Sequence, residues 1–422
     1  MLTQEANDRL TRVGPGTPMG ELLRRYWQPV ALIEELPAGG APLPVRLMGE
    51  DLVLFRDDQG RPGLLGLHCA HRGADLSYGR IEDGGLRCIY HGWLYDVNGR
   101  CVEQPGEPAG STFHERIRHR AYPCREAGGM VLAYLGPGEP PLLPAYPFLT
   151  ASDTHRYNSK ILHACNFLQA NEGNYDPCHT PFLHRYNEPG PHATTYIAAH
   201  NVPSLDVELT DYGLRIYQLR KLDADKTYVR LTNFVLPNLC AFSAGGNDGY
   251  TCNWHVPIDD THHWKFVIQF RQERPMDLTE VAGERNAVRA DYRIERSRAN
   301  RYLQDREEMK ERSFAGLGRA FQAQDMCATE GEGPIQDRTQ EHLGRTDVAV
   351  AAGRTLLLAA MDAVEAGDDP LHVLRAPNRP EVPTLIARGD MLPDADDWRH
   401  YWERIPATTR LADSTVRSQP PS

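Results

Sequence analysis

Nowhere in its 422 residues does the chain hold an uninterrupted apolar run of about eighteen, which excludes a simple membrane-spanning helix. The opening stretch MLTQEANDRLTRVGPG has neither an apolar core nor a small-residue cleavage site, so no secretory leader is expected. Cysteine is sparse. Nine of them, an odd number spread over a long chain, do not suggest a disulfide framework, and a reducing cytoplasm is the expected compartment. Basic charge is in deficit as well. A net charge of −11 argues against nucleic acid, whose phosphates require a basic footprint, yet one local arginine can still receive a small anion. Nucleotide signatures are missing too. In GPGTPMG (14–20) the third glycine falls too late for a dinucleotide fingerprint and no strand precedes it. No other phosphate-cradling loop is visible, so the chain is not expected to take hydride from NAD(P)H itself.

What is present reads as an ordinary globular protein, 41% apolar and 24% charged, long enough for two or three domains. TPMGELLRRYWQPVAL (17–32) predicts a short helix capped by Thr17 with Pro18 in its first turn. PVRLMG, DLVLFRD and PGLLGLHC then read as short strands, and Asn98-Gly99 as a hairpin turn. The proline- and glycine-rich YLGPGEPPLLPAYP (134–147) is the candidate linker. Beyond it, YGLRIYQLRKL, TYVRLTNFVLP and HHWKFVIQFRQE read as strands of one sheet. The charged segment 278–314 and TDVAVAAGRTLLLAAMDAVEAG read as helices, and the polar tail 407–422 as frayed. The fold class expected is α+β: an antiparallel β domain over 1–145, then a domain over 146–422 with an antiparallel sheet flanked by helices.

Two of the cysteines stand in HCAHRGADLSYGRIEDGGLRCIYHGW (68–93), as Cys69-x-His71 and Cys88-x-x-His91 with sixteen residues between the pairs. Thiolates and imidazoles at fixed spacing in a β-hairpin module suggest a metal site, and a structural zinc would take four such ligands. The two glycine-flanked loops instead resemble the Rieske [2Fe–2S] site. By that resemblance Cys69 and Cys88 bind one iron and His71 and His91 the other. Neutral imidazoles in place of thiolates raise the cluster's potential. His68 does not fit the spacing, and Ala70 stands where related sequences commonly have proline.

A second constellation follows in NEGNYDPCHTPFLH (171–184), as Asp176-x-x-His179-x-x-x-x-His184. On a helix, Asp176 and His179 share a face, while His184 points about 140° away unless Pro181 breaks the helix and lets both imidazoles converge. Two histidines and a carboxylate make the facial triad of non-haem Fe(II) oxygenases. For the carboxylate, 313–334 offers Asp325, Glu330 and Glu332. Read as a helix, Phe314, Leu317, Phe321, Asp325 and Ala328 form one stripe. Asp325 is thereby a carboxylate on an apolar face, which is costly unless paired or metal-bound.

The Asp-x-x-His-x-x-x-x-His pattern resembles that of Rieske non-haem iron oxygenases. LTRVGPGTPMGELLRRYWQPVAL, WHVPIDDTHHWK and GPIQDRTQEHLGRTD resemble the phthalate dioxygenase-like branch, whose members have an α subunit only. The resemblance covers nearly the whole chain. It implies that His179, His184 and Asp325 hold a mononuclear Fe(II), and that Asp176 bridges His179 to His91 of a neighbouring subunit. It further implies a separate NAD(P)H-dependent reductase, O2 and a small aromatic substrate, and head-to-tail trimers, single or stacked. The reaction implied is mono- or dihydroxylation or oxidative demethylation, with carboxylated aromatics among the candidates. The alternative is an electron-transferring Rieske protein without oxygenase turnover.

Overall fold

The computed structural model describes residues 1–187, 203–223, 225–243, 247–279, 281, 288–376, 385–393 and 397–404. Its N-terminal part is built from three small antiparallel sheets. One joins Leu43–Leu47, Glu50–Arg56, Pro62–Gly66 and Ala121–Tyr122. A second joins Arg80–Glu82, Gly85–Arg87, Leu94–Asp96 and Cys101–Glu103. The Asn98-Gly99 turn lies between the last two of these strands. There the Asp96 carboxylate accepts from the Asn98 and Arg100 amides, and Gly99 sits at φ +75° with no room for a side chain against the His119 carbonyl. Val53, Phe55, Leu65, Leu76, Leu86, Trp93 and Tyr95 form a core of their own around Cys69 and Cys88.

The third sheet, Gln28–Leu32, Met130–Ala133 and Cys124–Ala127, belongs to a different and larger core. That core takes in Leu22 and Leu23 of the helix Pro18–Arg24, which Thr17 caps as its sequence predicts. It continues through Phe148 into the eight-stranded sheet. The proline-rich stretch 134–147 is therefore packed down: Tyr134, Leu135 and Tyr146 are buried, and Trp27 donates its indole N–H to the Pro141 carbonyl.

The large sheet runs Arg156–His163, His262–Phe270, Tyr250–Asp259, Leu239–Phe242, Lys226–Val235, Gly213–Asp223, Ser204–Leu209. Gly389–Pro393 adds to Lys226–Val235, and every pairing is antiparallel. All three strands expected from the sequence lie in it. The helix Val348–Glu365 packs by a stripe of Val350, Leu357, Met361 and Val364 at spacings of three, four and seven.

Three helical expectations need correction. Segment 278–314 is not one helix. Among its described residues only Arg306–Glu311 is α-helical, with a 3-10 turn at Arg298–Leu303. Ile294 and Tyr302 are drawn into a buried cluster with Met326, and that tertiary contact overrides the segment's helix-forming composition. Residues 280 and 282–287, like the tail 407–422, lie outside the described residues. The helix carrying Asp325 begins only at Phe321, because Gly316 and Gly318 take φ +63° and +65°; Phe314 and Leu317 precede it. Finally, Pro181 does not break a helix. The helix Phe167–Tyr175 ends before Asp176, which adopts an extended conformation ahead of Pro177. Pro181 then sits in the first turn of the short helix Thr180–Leu183.

Candidate metal centres

Both N-terminal loops make a tight turn around a cysteine. Gly73 donates its amide to the Cys69 carbonyl and Gly92 to the Cys88 carbonyl. Both glycines sit at positive φ, +75° and +73°, a conformation that side chains disfavour. The sulfurs point inward: Cys69 and Cys88 are buried, and the Cys69 Sγ lies 3.1 Å from the Tyr95 hydroxyl. The imidazoles point outward. His71 is exposed and His91 partly so, with ring centroids 4.4 Å apart, and His71 stacks on Trp93. Two enclosed thiols and two outward imidazoles on facing loops fit a cluster with one iron in and one iron out. His68 is engaged elsewhere, its Nδ1 on the Gly73 carbonyl.

In the larger domain the break at Asp176–Pro177 turns His179 and His184 toward each other, and their Nε2 atoms come within 3.2 Å. His184 Nε2 is also 3.1 Å from Asp325 Oδ1. The three residues each offer a ligand atom within 4.8 Å of the others, the one such group of three among the described residues. His179 and Asp325 line a cavity of about 260 Å³ together with Asp176, His163, His255 and Lys265. Burial alone would raise the Asp325 carboxyl, but His184, Lys265 and His179 together hold it well below the usual carboxylate range. An ionised carboxylate and two imidazole nitrogens suit a divalent iron. Of the rival acids, Glu330 is spoken for, accepting from the Ala164 amide and the Tyr302 hydroxyl.

Asp176 is partly exposed. Its Oδ1 accepts from the Cys178 amide at 2.7 Å, and its Oδ2 is 3.5 Å from His179 Nδ1, too long for a hydrogen bond. That nitrogen is buried without a hydrogen-bond partner among the described residues.

Four supporting side chains escaped the sequence reading. Gln324 faces His184 Nδ1 through its Oε1 at 2.6 Å, while its amide nitrogen donates to the Tyr186 hydroxyl and the Gly318 carbonyl. Phe321 stacks on the His184 ring at 3.7 Å. These two fix the orientation of the His184 imidazole, as partners beyond the ligands commonly do at metal sites. Tyr95 beside Cys69 and Lys265 beside Asp325 complete the set. The Gln324-Asp325 adjacency was readable in the sequence; the other pairings depend on tertiary contacts.

Comparison with known proteins gives the family. Residues 26–123 match the Rieske [2Fe-2S] domain and residues 133–416 the LigXa C-terminal domain like family. The phthalate 4,5-dioxygenase oxygenase subunit of Pseudomonas putida is 37% identical across 100% of this chain and 99% of its own length. The 5,5'-dehydrodivanillate O-demethylase oxygenase subunit of a Sphingobium species is 35% identical across 89% of this chain and 84% of its own. Among solved structures, the reduced complex between oxygenase and ferredoxin in carbazole 1,9a-dioxygenase superposes with a TM-score of 0.55. It shares 21% identity, over 87% of this chain and 95% of that one, which is a likeness of fold. Electron carriage alone does not account for such relatives, which are terminal oxygenase subunits. The chain belongs to the Rieske non-haem iron oxygenases, as the oxygenase subunit that carries a Rieske cluster and a mononuclear iron and incorporates molecular oxygen.

Proposed function

We propose that this oxygenase acts on a carboxylated aromatic substrate, with Cys69, His71, Cys88 and His91 holding the cluster and His179, His184 and Asp325 the iron. The cluster supplies electrons one at a time and the iron the site of oxygen activation. Asp176 carries the contact between centres, accepting from His179 on one side and from His91 of a neighbouring subunit on the other. Head-to-tail trimers, single or stacked, bring those two residues together. A separate NAD(P)H-dependent reductase delivers the electrons, as the ferredoxin bound to the carbazole enzyme suggests, and the cytoplasm is the setting. The division into 1–145 and 146–422 is part of the same reading. The catalytic domain's own work is to orient three ligands, keep a coordination position open and exclude water.

Supporting the carboxylate is a pair of unmatched arginines. Of the basic residues on the two central strands, Arg215 pairs with Glu208 and Lys221 is exposed. Arg220, by contrast, is 1% exposed, and among the described residues its Nε has no partner. Its Nη1 lies 3.4 Å from Gln218 Oε1 and its Nη2 3.5 Å from the Pro177 carbonyl, beside Asp176. Arg230, across the strand pair, donates to the Ser243 carbonyl. Neither meets an acid among the described residues. Burial and the nearby Arg230 push Arg220 down to about 10, so an anion arriving there relieves both guanidiniums.

The test is a substrate panel with a matched reductase. Aromatic carboxylates are expected to couple O2 uptake to product, and their amides are not. Arg220→Met should raise KM for the carboxylate by about tenfold or more, the worth of a charged hydrogen bond. Equal turnover of acids and amides would refute the carboxylate reading.

A further inference from the structure

Lys265 has no part in the ligand set, yet it is placed with care. It lies on the strand His262–Phe270, is 1% exposed, and its Nζ is 3.6 Å from Asp325 Oδ2. A buried ammonium requires a counter-charge, and Asp325 is the acid beside it. Three other ionisable rings line this wall. His163, His263 and His255 follow one another across neighbouring strands, His255 directly opposite Lys265.

Hydrogen bonding fixes two of the rings as neutral. The Cys165 carbonyl can only accept, so His263 Nδ1 at 2.9 Å carries a proton. His263 Nε2 then accepts from His255 Nδ1 at 3.0 Å, and His255 Nε2 accepts from the Asn174 amide at 2.6 Å. His163 is 1% exposed with both ring nitrogens unpartnered among the described residues, and burial, with His263 and Lys265 nearby, pushes it well down. Lys265 and Asp325 thus form a charge pair against a wall of neutral imidazoles. The two carboxylate oxygens divide their tasks: Oδ1 faces His184 and the point where the ligand atoms converge, and Oδ2 faces the ammonium.

Resting on the assignment of Asp325 as an iron ligand, we propose that Lys265 is a positioning residue that competes with the metal for Asp325. It holds Oδ2, so that the carboxylate gives the iron one oxygen and leaves a coordination position open, and its charge weakens divalent-metal binding. Without metal, it keeps Asp325 in place.

Fe(II) added to the full-length protein tests this, with the cluster oxidised and the mononuclear site emptied by a chelator. Lys265→Met should bind Fe(II) at least about tenfold more tightly, because a nearby positive charge has gone. Lys265→Arg should stay near the wild type. Near-infrared magnetic circular dichroism, which separates five- from six-coordinate Fe(II), should shift toward six in Lys265→Met alone. If Lys265→Met does not accumulate as folded, red-brown protein, Lys265→Gln decides by the same criteria. Equal or weaker Fe(II) binding with unchanged ligand-field bands in the neutral variant would overturn the proposal and leave Lys265 a packing residue. Asp325→Asn separates the two layers. If it binds Fe(II) as the wild type does, the ligand assignment fails; if it loosens Fe(II) while the Lys265 variants change nothing, only the competition fails.

Discussion

His91 shows what a single residue contributes to the cluster end. It stands on the outward side of a loop whose cysteine is buried, so under the proposed assignment its nitrogen would be a neutral ligand at the solvent edge. Replacing it by a thiolate adds negative charge to the cluster, which lowers the reduction potential. His91→Cys is therefore expected to keep an iron–sulfur chromophore but to show a lower potential and an altered spectrum by voltammetry and absorbance. An unchanged potential and spectrum would remove His91 from the ligand set. Residues of this kind were legible in the sequence because each motif is compact: Cys69 to His91 and Asp176 to His184 are short spans with fixed spacing, whereas Asp325 lies far along the chain and was found only by its place on an apolar stripe. Lys265, Tyr95 and Phe321 were not. A lysine in HHWKFVIQF reads as one more strand residue until the fold brings Asp325 beside it.

Elements matter here through the places where they stop. The helix Phe167–Tyr175 had to end before His179 for the imidazoles to meet, and Pro177 rather than Pro181 ends it. The sequence offered both prolines, and only the chain's path distinguishes a terminator from a first-turn proline. The 278–314 segment was misread for a related reason, since its helix-forming composition is overruled by the burial of Ile294 and Tyr302. What keeps the helix Phe167–Tyr175, which leads into the site, in place is Glu172, buried between Arg338 and Arg354. Burial would raise that carboxyl, but the two guanidiniums lower it overall. A carboxyl depressed on folding stabilises fully above its unfolded value of about 4.3, and the gain is lost as pH falls through the folded value. Glu172→Gln leaves buried Arg338 without its acid and Arg354 with Glu341 alone, and should cost about 3–5 kcal/mol in denaturant unfolding near neutral pH. Its acid sensitivity should be smaller than that of the wild type. A change within about 0.5 kcal/mol, the range of a surface substitution, would show that the cluster does not hold the helix.

At the scale of the whole molecule, two metal centres must exchange electrons. The Rieske module and the catalytic sheet, with its flanking helices, were foreseeable from strand patterning and from the two motifs. The shared core that runs from the N-terminal helices through Met130–Ala133 into the large sheet was not, because it joins residues more than a hundred positions apart. Asp176 belongs to this scale. Its carboxylate is partly exposed beside His179 Nδ1, a buried nitrogen with no hydrogen-bond partner among the described residues. An amide at position 176 is nearly isosteric but offers one acceptor oxygen, so it cannot serve two imidazoles equally. The decisive measurement is a single turnover: reduced Asp176→Asn protein, fully loaded with iron and substrate, mixed with O2 while the cluster's absorbance is followed. The account predicts intact metal content and trimer assembly, with cluster reoxidation slowed by roughly 10–100-fold, the usual penalty for losing such an outer partner. Reoxidation at the wild-type rate in the fully loaded variant would contradict it.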